Sequence, residues 1–409
     1  MDVIYERCCG LDIHKKTVVA CLLIPGTDGQ PVKAVRTFAT VTDQILALAT
    51  WLREAGCTHV AMESTGVYWK PVWNVLEAQF TLLLVNARHV KAVPGRKTDV
   101  KDAEWLADLL RYGLLRPSFV PDRAQRELQE LTRYRTSLVQ ERTAEVNRLQ
   151  KTLEGANIKL GDVATDILGV SGRRMLRALI DGTTDAAAIA DLAQGKLRGK
   201  RSALEQALHG QIGAHQRFLL AQQLAHIEQL ETTIAAVSAE IETRLLPLAS
   251  ELERLVTIPG VGKRTAQVLV AEIGTDMRRF PSAGHLASWA GMCPGNDESA
   301  GKRRSGQTRK GNRWLRSALI EAAHAAARTQ GTYLAAQYRR LAARRGVKKS
   351  AVAVGHSILI SAYHLLRDEA SYHDLGGHYF DARNRQVVEQ RLVRRLEALG
   401  HKVILEPAA

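Results

Sequence analysis

The first 118 residues alternate between short apolar runs and polar turns, which is typical of a mixed α/β domain. A turn signal, "PGTDG" at Pro25–Gly29, separates the second run from the third. A helix capped by Thr42 or Asp43 and running to about Ala55 is expected after the third run. The apolar runs predict five strands, the first three forming a hairpin meander: Cys8–Ile13, Thr17–Ile24, Val32–Phe38, His59–Met62 and Leu82–Asn86.

From Ala124 onward the pattern becomes helical. Gln125–Leu153 is polar, with one apolar side formed by Leu131, Leu138, Val146, Leu149 and Leu153. A second long helix, ending near Pro247, carries a heptad seam of Leu220, Ile227, Ile234 and Ile241, with Leu230 and Val237 between them. Two long helices flanking an insert at 157–210 predict an antiparallel coiled-coil arm. The alternative is a pair of ordinary bundle helices.

The remaining chain is helical and basic up to about residue 370, and a polar tail with one more helix at Val387–Leu399 follows Tyr372. We therefore predict an α/β domain over 1–120, a helical arm over 121–250, a mainly α domain over 251–370 and a tail over 371–409. A chain of 409 residues is long enough for two or three such domains.

The amino-acid composition indicates which class of molecule the protein binds. Lys plus Arg number 57 and Asp plus Glu 42, giving a net charge of +15 and a pI near 9.8, which favours a polyanionic partner such as nucleic acid. No apolar run approaches the ~20 residues of a membrane-spanning helix, and the first residues do not resemble a signal peptide, so we expect a cytoplasmic protein without a membrane partner. The five cysteines have no CxxC spacing, so reduced thiols are expected rather than a zinc site.

Four acidic residues of the α/β region form a candidate metal site. Asp12 lies at the end of the first predicted strand, Glu63 follows the fourth, and Asp99 and Asp102 start a helix that Thr98 can cap. Strand-end acids near a helical acid pair are how the ribonuclease-H-like fold builds its metal site, and phosphoryl transfer with Mg²⁺ requires hard oxygen ligands. Singly, each acid also fits a turn or capping role. Glu104 and Asp108, on the same helix, are decoys.

The basic region contains two candidate phosphate-binding segments. Leu255–Gly274 is typical of a helix-hairpin-helix, in which a Pro-Gly-Val-Gly turn brings backbone amides to a phosphate. Between Ser299 and Lys349 there are fourteen basic residues and one acid, Glu321. Gly301, Gly306 and Gly311 predict a flexible loop before Trp314. The predicted nucleic-acid contacts are Lys263, Arg264, Lys302, Arg303, Arg304, Arg309, Lys310 and Arg313.

Two serines lie in that loop. Ser299 is in "ESAGKRR" and Ser305 in "RRSGQ". A serine beside guanidinium and ammonium groups can attack a phosphodiester because its alkoxide is stabilised. On this chemistry alone, either is more simply an ordinary loop residue.

With these residues in view, the chain resembles the transposases of the IS110/IS1111 family. The motifs that carry the resemblance occur in the family's order and cover both end domains: "GLDIHKKTVVACL", "AMESTGVYWKPVWNVLE", "VNARHVKAVPGRKTDVKDAEWLADLLRYGLLRPSFVP", "IPGVGKRTAQVLVAEIG" and "WAGMCPGNDESAGKRRSGQTRKGNRWLRSALIEAA".

The resemblance implies a RuvC-like first domain whose DEDD set falls on Asp12, Glu63, Asp99 and Asp102. It also implies a nucleophilic serine, which falls on Ser299, although many relatives have Ser-Ser-Gly where this chain has Ser299-Ala300-Gly301; Ser305 is the alternative. It further implies a mobile element, expected to be bacterial, and a structured non-coding guide RNA beside DNA. The predicted oxygen ligands indicate Mg²⁺ (or Mn²⁺) as the cofactor.

The sequence thus predicts a recombinase in which Ser299 forms a transient link to DNA and the four acids hold metal. Because the two motifs lie far apart in sequence, we hypothesise a composite site between protomers of a dimer or tetramer assembled through the arm. The alternatives are a RuvC-like nuclease that cleaves junctions with metal-activated water, a nucleic-acid-binding scaffold without chemistry, and a coiled-coil assembly protein.

Overall fold

The structure is a computed structural model that describes residues 2–26, 30–64, 66–86, 102–295, 297–299, 302–305, 307–308, 310–383 and 385–405. The chain divides into two compact units, Met1–Arg123 and Ala124–Ala409. The residues predicted as an arm and as a separate C-terminal domain therefore lie in one unit. No helix in the described ranges is both long and apolar enough to cross a membrane.

The first unit is a five-stranded mixed sheet with helices on both faces. Its elements are β1 (Cys8–Ile13), β2 (Thr17–Pro25), β3 (Pro31–Ala39), α1 (Thr42–Glu54), β4 (His59–Glu63), α2 (Trp69–Leu76), β5 (Thr81–Val85) and α3 (Asp102–Arg111). The strand order is β3-β2-β1-β4-β5, antiparallel among β1 to β3 and parallel from β1 through β4 to β5. This sheet confirms the five predicted strands and is compatible with the ribonuclease-H-like fold.

Successive side chains of each strand point to opposite faces of the sheet, and each face has its own hydrophobic core. Leu11, Val60 and Met62 pack with α1 and α2 on one face, whereas Cys8 and Ala61 pack with α3 on the other. One capping prediction was wrong. The N-cap of α1 is Val41, which makes no side-chain bond, because the helix starts at Thr42 and Asp43 lies in its first turn.

The second unit begins with two long helices and an insert. They are α4 (Arg123–Gly155), α5 (Leu160–Val163), α6 (Val170–Ile180), α7 (Ala186–Ala190), α8 (Arg201–Leu208) and α9 (Ala214–Leu245). Later residues of α4 pack with earlier residues of α9. Leu128 clusters with Ile241, Leu138 with Leu230 and Ile234, and Leu149 with Leu224. The two helices are therefore antiparallel.

The residues of the heptad seam are buried or packed inside this helix pair and its insert. The seam is therefore buried by contacts within one chain, because its apolar side chains face α4 and the insert. Assembly into a dimer or tetramer, which stays a prediction, needs a surface other than this seam.

The rest of the second unit is a helical bundle and a tail. It contains α10 (Ala249–Val256), α11 (Lys263–Ile273), α12 (Ala283–Trp289), β6 (Asp297–Ser299), β7 (Lys302–Ser305), α13 (Arg313–Arg328), α14 (Tyr333–Arg345), α15 (Val347–Arg367), α16 (Tyr379–Arg383) and α17 (Arg385–Ala398). Its core is built around α11, α13 and α15. The tail helix predicted at Val387–Leu399 is confirmed as α17.

Candidate active site and nucleic-acid interface

Asp12 and Glu63 lie at the carboxyl ends of two adjacent parallel strands. The register pairs Leu11 of β1 with Met62 of β4, so the next residue of each strand is one of the two acids. Side chains alternate along a strand, which puts Glu63 on the same face as Ala61 and Asp12 on the same face as Gly10. Both are on the α3 face of the sheet.

Helix α3 brings Asp102 to the same edge of that face. A Cβ on Gly10 would lie 2.2 Å from the Ala103 carbonyl oxygen and 2.5 Å from the Ala107 nitrogen, so the helix rests directly on the β1 backbone. The other end of the helix lies before β1, where the Arg111 carbonyl accepts a hydrogen bond from the Ile4 amide at 2.9 Å. The helix therefore runs antiparallel to β1 and starts, at Asp102, toward the Asp12 end. Asp99 lies outside the described residues.

Asp12 has a polar neighbour within the candidate site. The Asp12 carboxylate is 26% exposed, and its Oδ2 lies 3.1 Å from His14 Nε2. Asp108, weighed as a decoy, pairs with Lys33 at 2.7 Å. Carboxylate oxygens are the donors that Mg²⁺ takes, so the donor type fits the predicted metal. Within the part of the chain that the structure describes, however, no three Asp, Glu, His or Cys side chains converge as a metal site.

The buried thiols of the same unit are not candidates for metal ligation. Burial raises the pKa of Cys8 and of Cys57 to about 12, and it also raises the pKa of Cys9 well above the ordinary thiol range. A metal-binding or nucleophilic cysteine needs the thiolate form. These side chains are therefore protonated core residues, in keeping with the expectation of reduced thiols.

Both candidate nucleophiles lie on a two-stranded hairpin formed by β6 and β7. Ser299 ends β6 and pairs with Lys302, whereas Ser305 ends β7 and pairs with Asp297. The prediction of a flexible loop is therefore wrong for these residues, because they form two strands paired through their backbones. Gly301 and Gly306 lie outside the described residues, as does Arg309.

The base of the hairpin is tied to the helical bundle. The Gly295 amide donates to the Gln307 carbonyl at 2.8 Å, and Pro294 and Thr308 form a further bridge. Arg316 donates through Nη1 to the Thr308 hydroxyl at 2.6 Å. Arg316 is one of the fourteen basic residues of the segment between Ser299 and Lys349. In the structure its guanidinium holds the base of the hairpin.

Gly311 also differs from its prediction as a flexible residue. A Cβ there would lie 2.4 Å from the Ala290 carbonyl carbon, so this glycine permits close packing after α12. Lys310 is exposed beside it. Arg313 begins α13, with its guanidinium carbon 4.5 Å from the ring centroid of Trp314.

The segment Leu255–Gly274 comprises the end of α10, a turn and α11, and its assignment as a helix-hairpin-helix stays a prediction. Gly260, at φ +86°, packs on α13, where a Cβ would lie 2.3 Å from the Ala322 oxygen. Gly262, the N-cap of α11, has open space around its α carbon. Lys263 pairs with Glu242 at 2.7 Å, an exposed ion pair that a phosphate could displace. Phosphate binding by this turn and by Arg264 stays a prediction.

A buried ionic network behind the hairpin escaped the sequence reasoning. Glu272 of α11 is fully buried, and Arg133 of α4 donates to both its carboxylate oxygens at 2.7 Å. Asn312, the N-cap of α13, donates to Glu272 Oε2 at 2.6 Å. The signal available in the sequence was one acid inside the apolar segment "VLVAEIG". This network joins the long helix α4 to the helix that follows the serine hairpin.

Comparison with known proteins covers both regions. Residues 9–158 match the family model for the DEDD transposases of IS110 type, described as a transposase. Residues 252–339 match the family described as Transposase IS116/IS110/IS902. Together these matches span more than half of the chain. The chain belongs to the IS110 family of transposases. Asp12, Glu63, Asp99 and Asp102 of this transposase lie inside the first match, and Ser299 lies inside the second.

Individual relatives agree with this assignment. The chain is 28% identical over 273 residues to a "Probable family 20 transposase" of Pseudomonas aeruginosa, covering 66% of this chain and 71% of the relative. It is 25% identical over 297 residues to the transposase for insertion sequence element IS1111A of Coxiella burnetii, covering 71% and 72%. A protein of insertion element IS110 from Streptomyces coelicolor is 28% identical over 253 residues, covering 57% and 61%.

Proposed function

We propose that this transposase cuts and rejoins DNA through a serine nucleophile, Ser299, assisted by divalent metal held on Asp12, Glu63, Asp99 and Asp102. The observation that carries the proposal is the alignment of Asp12 and Glu63 at neighbouring parallel strand ends, on the face where α3 begins at Asp102. Hard oxygen donors from two strands and a helix suit phosphoryl transfer. The hairpin provides an ordered segment for the serine.

The serine step is a transesterification. The Ser299 hydroxyl loses its proton to solvent and its oxygen bonds to the scissile phosphorus, while the bond from phosphorus to the 3′ oxygen breaks. The 3′ oxygen leaves with a proton from solvent, and the 5′ phosphate remains on the serine. Attack by the 3′ hydroxyl of another strand reverses the step and exchanges strands. Bound Mg²⁺ (or Mn²⁺) supplies positive charge that lowers the barrier to forming and expelling alkoxide oxygens.

Nucleic acid is held by the basic segments of the second unit. The turn with Lys263 and Arg264 and the hairpin with Lys302, Arg303 and Arg304 bring positive charge and backbone amides to a phosphodiester backbone. In the sequence, Arg309, Lys310 and Arg313 continue this run of positive charge after the hairpin. A guide RNA encoded by the element is the proposed second ligand, and we propose that the active form is a homo-oligomer.

Covalent trapping tests the proposal. The full-length protein is incubated with a cleavable DNA junction, guide RNA and Mg²⁺, denatured, and analysed by mass spectrometry for the residue that carries DNA. We expect the adduct on Ser299. Ser299→Ala should abolish cleavage while junction binding survives, and Ser305→Ala should retain both. Asp12→Asn should lose cleavage and adduct together.

The same experiment separates the main alternative. A RuvC-like junction nuclease without a covalent intermediate would cleave with Ser299→Ala and with Ser305→Ala, and would yield no adduct. An adduct on Ser305 would move the nucleophile to β7 and leave the rest of the mechanism intact. Cleavage unaffected by Asp12→Asn would refute the metal site.

A further inference from the structure

The C-terminal tail is docked on the start of α14. Asp374 Oδ1 accepts a hydrogen bond from the Tyr333 amide at 3.0 Å and another from the Gly376 amide at 2.7 Å. The Phe380 ring stacks on Tyr333, with centroids 5.0 Å apart and planes 23° from parallel. These contacts fix α16 against α14, and their tail residues Asp374 and Phe380 lie beyond residue 339, where the second family match ends.

Docking of the tail creates a half-open cavity of about 500 Å³, here called the tail pocket. Four arginines line it: Arg339, Arg340 and Arg344 from α14 and Arg391 from α17. Asp381 is the one carboxylate in its lining. Throughout the described structure none of the four guanidinium groups forms an ion pair. Like charges gathered around one cavity repel each other, so an anion bound there would relieve an unfavourable arrangement.

The arginine geometry narrows the chemistry of that anion. The Arg340 guanidinium carbon lies 5.5 Å from the Phe380 ring centroid, so the ring supports one face of the guanidinium. Its N–H groups then remain available at the edge, the arrangement with which arginine binds phosphate. Arg340 and Arg344 are one helical turn apart, about 6 Å along the axis. Successive guanidinium groups at this spacing suit a chain of phosphates better than one isolated ion.

We propose that the tail pocket binds the phosphodiester backbone of a single-stranded nucleic-acid segment. The cavity is too small for a duplex, and it lies in a transposase with a net charge of +15. The inference rests on the proposed function only in taking nucleic acid as the substrate class. It assigns a role to the tail, separate from the serine hairpin. DNA and RNA strands share this chemistry, and the experiment includes both.

The test is binding of fluorescent oligo(dT) and oligo(rU), each of about 20 nucleotides, to the full-length protein by anisotropy across a salt series. The double variant Arg339→Gln/Arg344→Gln removes two exposed charges from the pocket. If each arginine contacts one phosphate of a single strand, the slope of log affinity against log salt should fall by about 1.4. Affinity should drop about 25-fold near 0.1 M salt for at least one probe.

A matched control removes the same charge elsewhere. The variant Lys151→Gln/Arg174→Gln removes two exposed basic groups, one from α4 and one from α6. Neither group forms an ion pair in the described structure. This variant should bind almost as the wild type does. Asp381→Asn, which removes the acid from the pocket, should bind more tightly. Equal losses in the two double variants, for both probes, would overturn the proposal.

Trapping of the serine adduct distinguishes this proposal from the proposed function. At saturating junction concentration the pocket variant should still form the adduct, because its hairpin and acids are intact. If wild-type protein never forms an adduct yet the pocket variant shows the salt-slope change, the mechanism fails and the tail pocket stands. If adduct forms and the salt slope does not change, the tail pocket fails alone.

Discussion

Removing Arg133 isolates the buried carboxylate of Glu272, and the structure sets the size of the effect. The Arg133 side chain is 31% exposed, whereas Glu272 is 0% exposed and receives two hydrogen bonds of 2.7 Å from the guanidinium. In Arg133→Met the carboxylate keeps only the Asn312 amide among its described side-chain partners. Leaving a buried charge without its counter-ion is destabilising by about 3–5 kcal/mol. We expect the thermal midpoint to fall by about 6 °C or more.

The matched control is another arginine–glutamate pair of the same unit. Arg142 donates to Glu231 Oε1 at 2.7 Å, but both side chains are about one-third exposed, and Glu231 also binds Arg173. Arg142→Met should therefore change the free energy of unfolding by about 1 kcal/mol or less. Circular dichroism during heating and urea titration measures both variants.

A double variant separates the effect of the isolated charge from the effect of lost packing. Arg133→Met combined with Glu272→Met removes the charge together with its partner, so it should be less destabilised than Arg133→Met alone. Additive losses in the double variant would show that packing, not the isolated charge, dominates. Indistinguishable midpoints for Arg133→Met and Arg142→Met would refute the burial argument.

Three further outcomes follow from the packing and the thiols. Gly10→Ala should be destabilising by about 3 kcal/mol, because its Cβ would lie 2.2 Å from the Ala103 oxygen; urea unfolding checks this, and a neutral result contradicts the placement of α3. Gly260→Ala should be at least as harmful, since φ is +86° and the Cβ would meet the Ala322 oxygen at 2.3 Å. The Cys57 pKa is raised by burial from 9.0 to about 12, so the native state holds its proton more tightly than the unfolded chain. The free energy of unfolding should keep its full value below about pH 9 and decrease above it by up to about 1.4 kcal/mol per pH unit per thiol. Urea titrations of Cys57→Ala should therefore show a smaller decrease of the unfolding free energy with pH.

The elements that the sequence predicted well are those with local signals. Short apolar runs between turn residues located all five strands, and the seven-residue repeat that includes Ile227 and Ile234 located the buried side of α9. The placement of Asp12 and Glu63 at strand ends was also accessible, because both acids directly follow apolar strand residues. Their convergence on one face depends on β1 lying beside β4, a long-range pairing that no local pattern encodes.

What the sequence missed depends on contacts between distant segments. Gly260 and Gly311 were interpreted through conformational freedom near a ligand, whereas each permits a close approach between helices or turns. The β6–β7 hairpin was taken for a loop because its residues are polar and glycine-rich, and only cross-strand pairing reveals it. The partners of Glu272 lie 139 residues before it and 40 after it, beyond the reach of any periodicity.

The antiparallel pair of α4 and α9 acts mechanically as a stiff lever. Helices of 33 and 32 residues are about 50 Å long, so a rotation of about 5° at their base displaces the far end by roughly 4 Å. Arg173 of the insert bridges Glu228 and Glu231, near the middle of α9, and so joins the insert to that helix. Because Arg133 of α4 binds Glu272 of α11, a rotation of the helix pair at that contact would displace the insert by more than it displaces the start of α13.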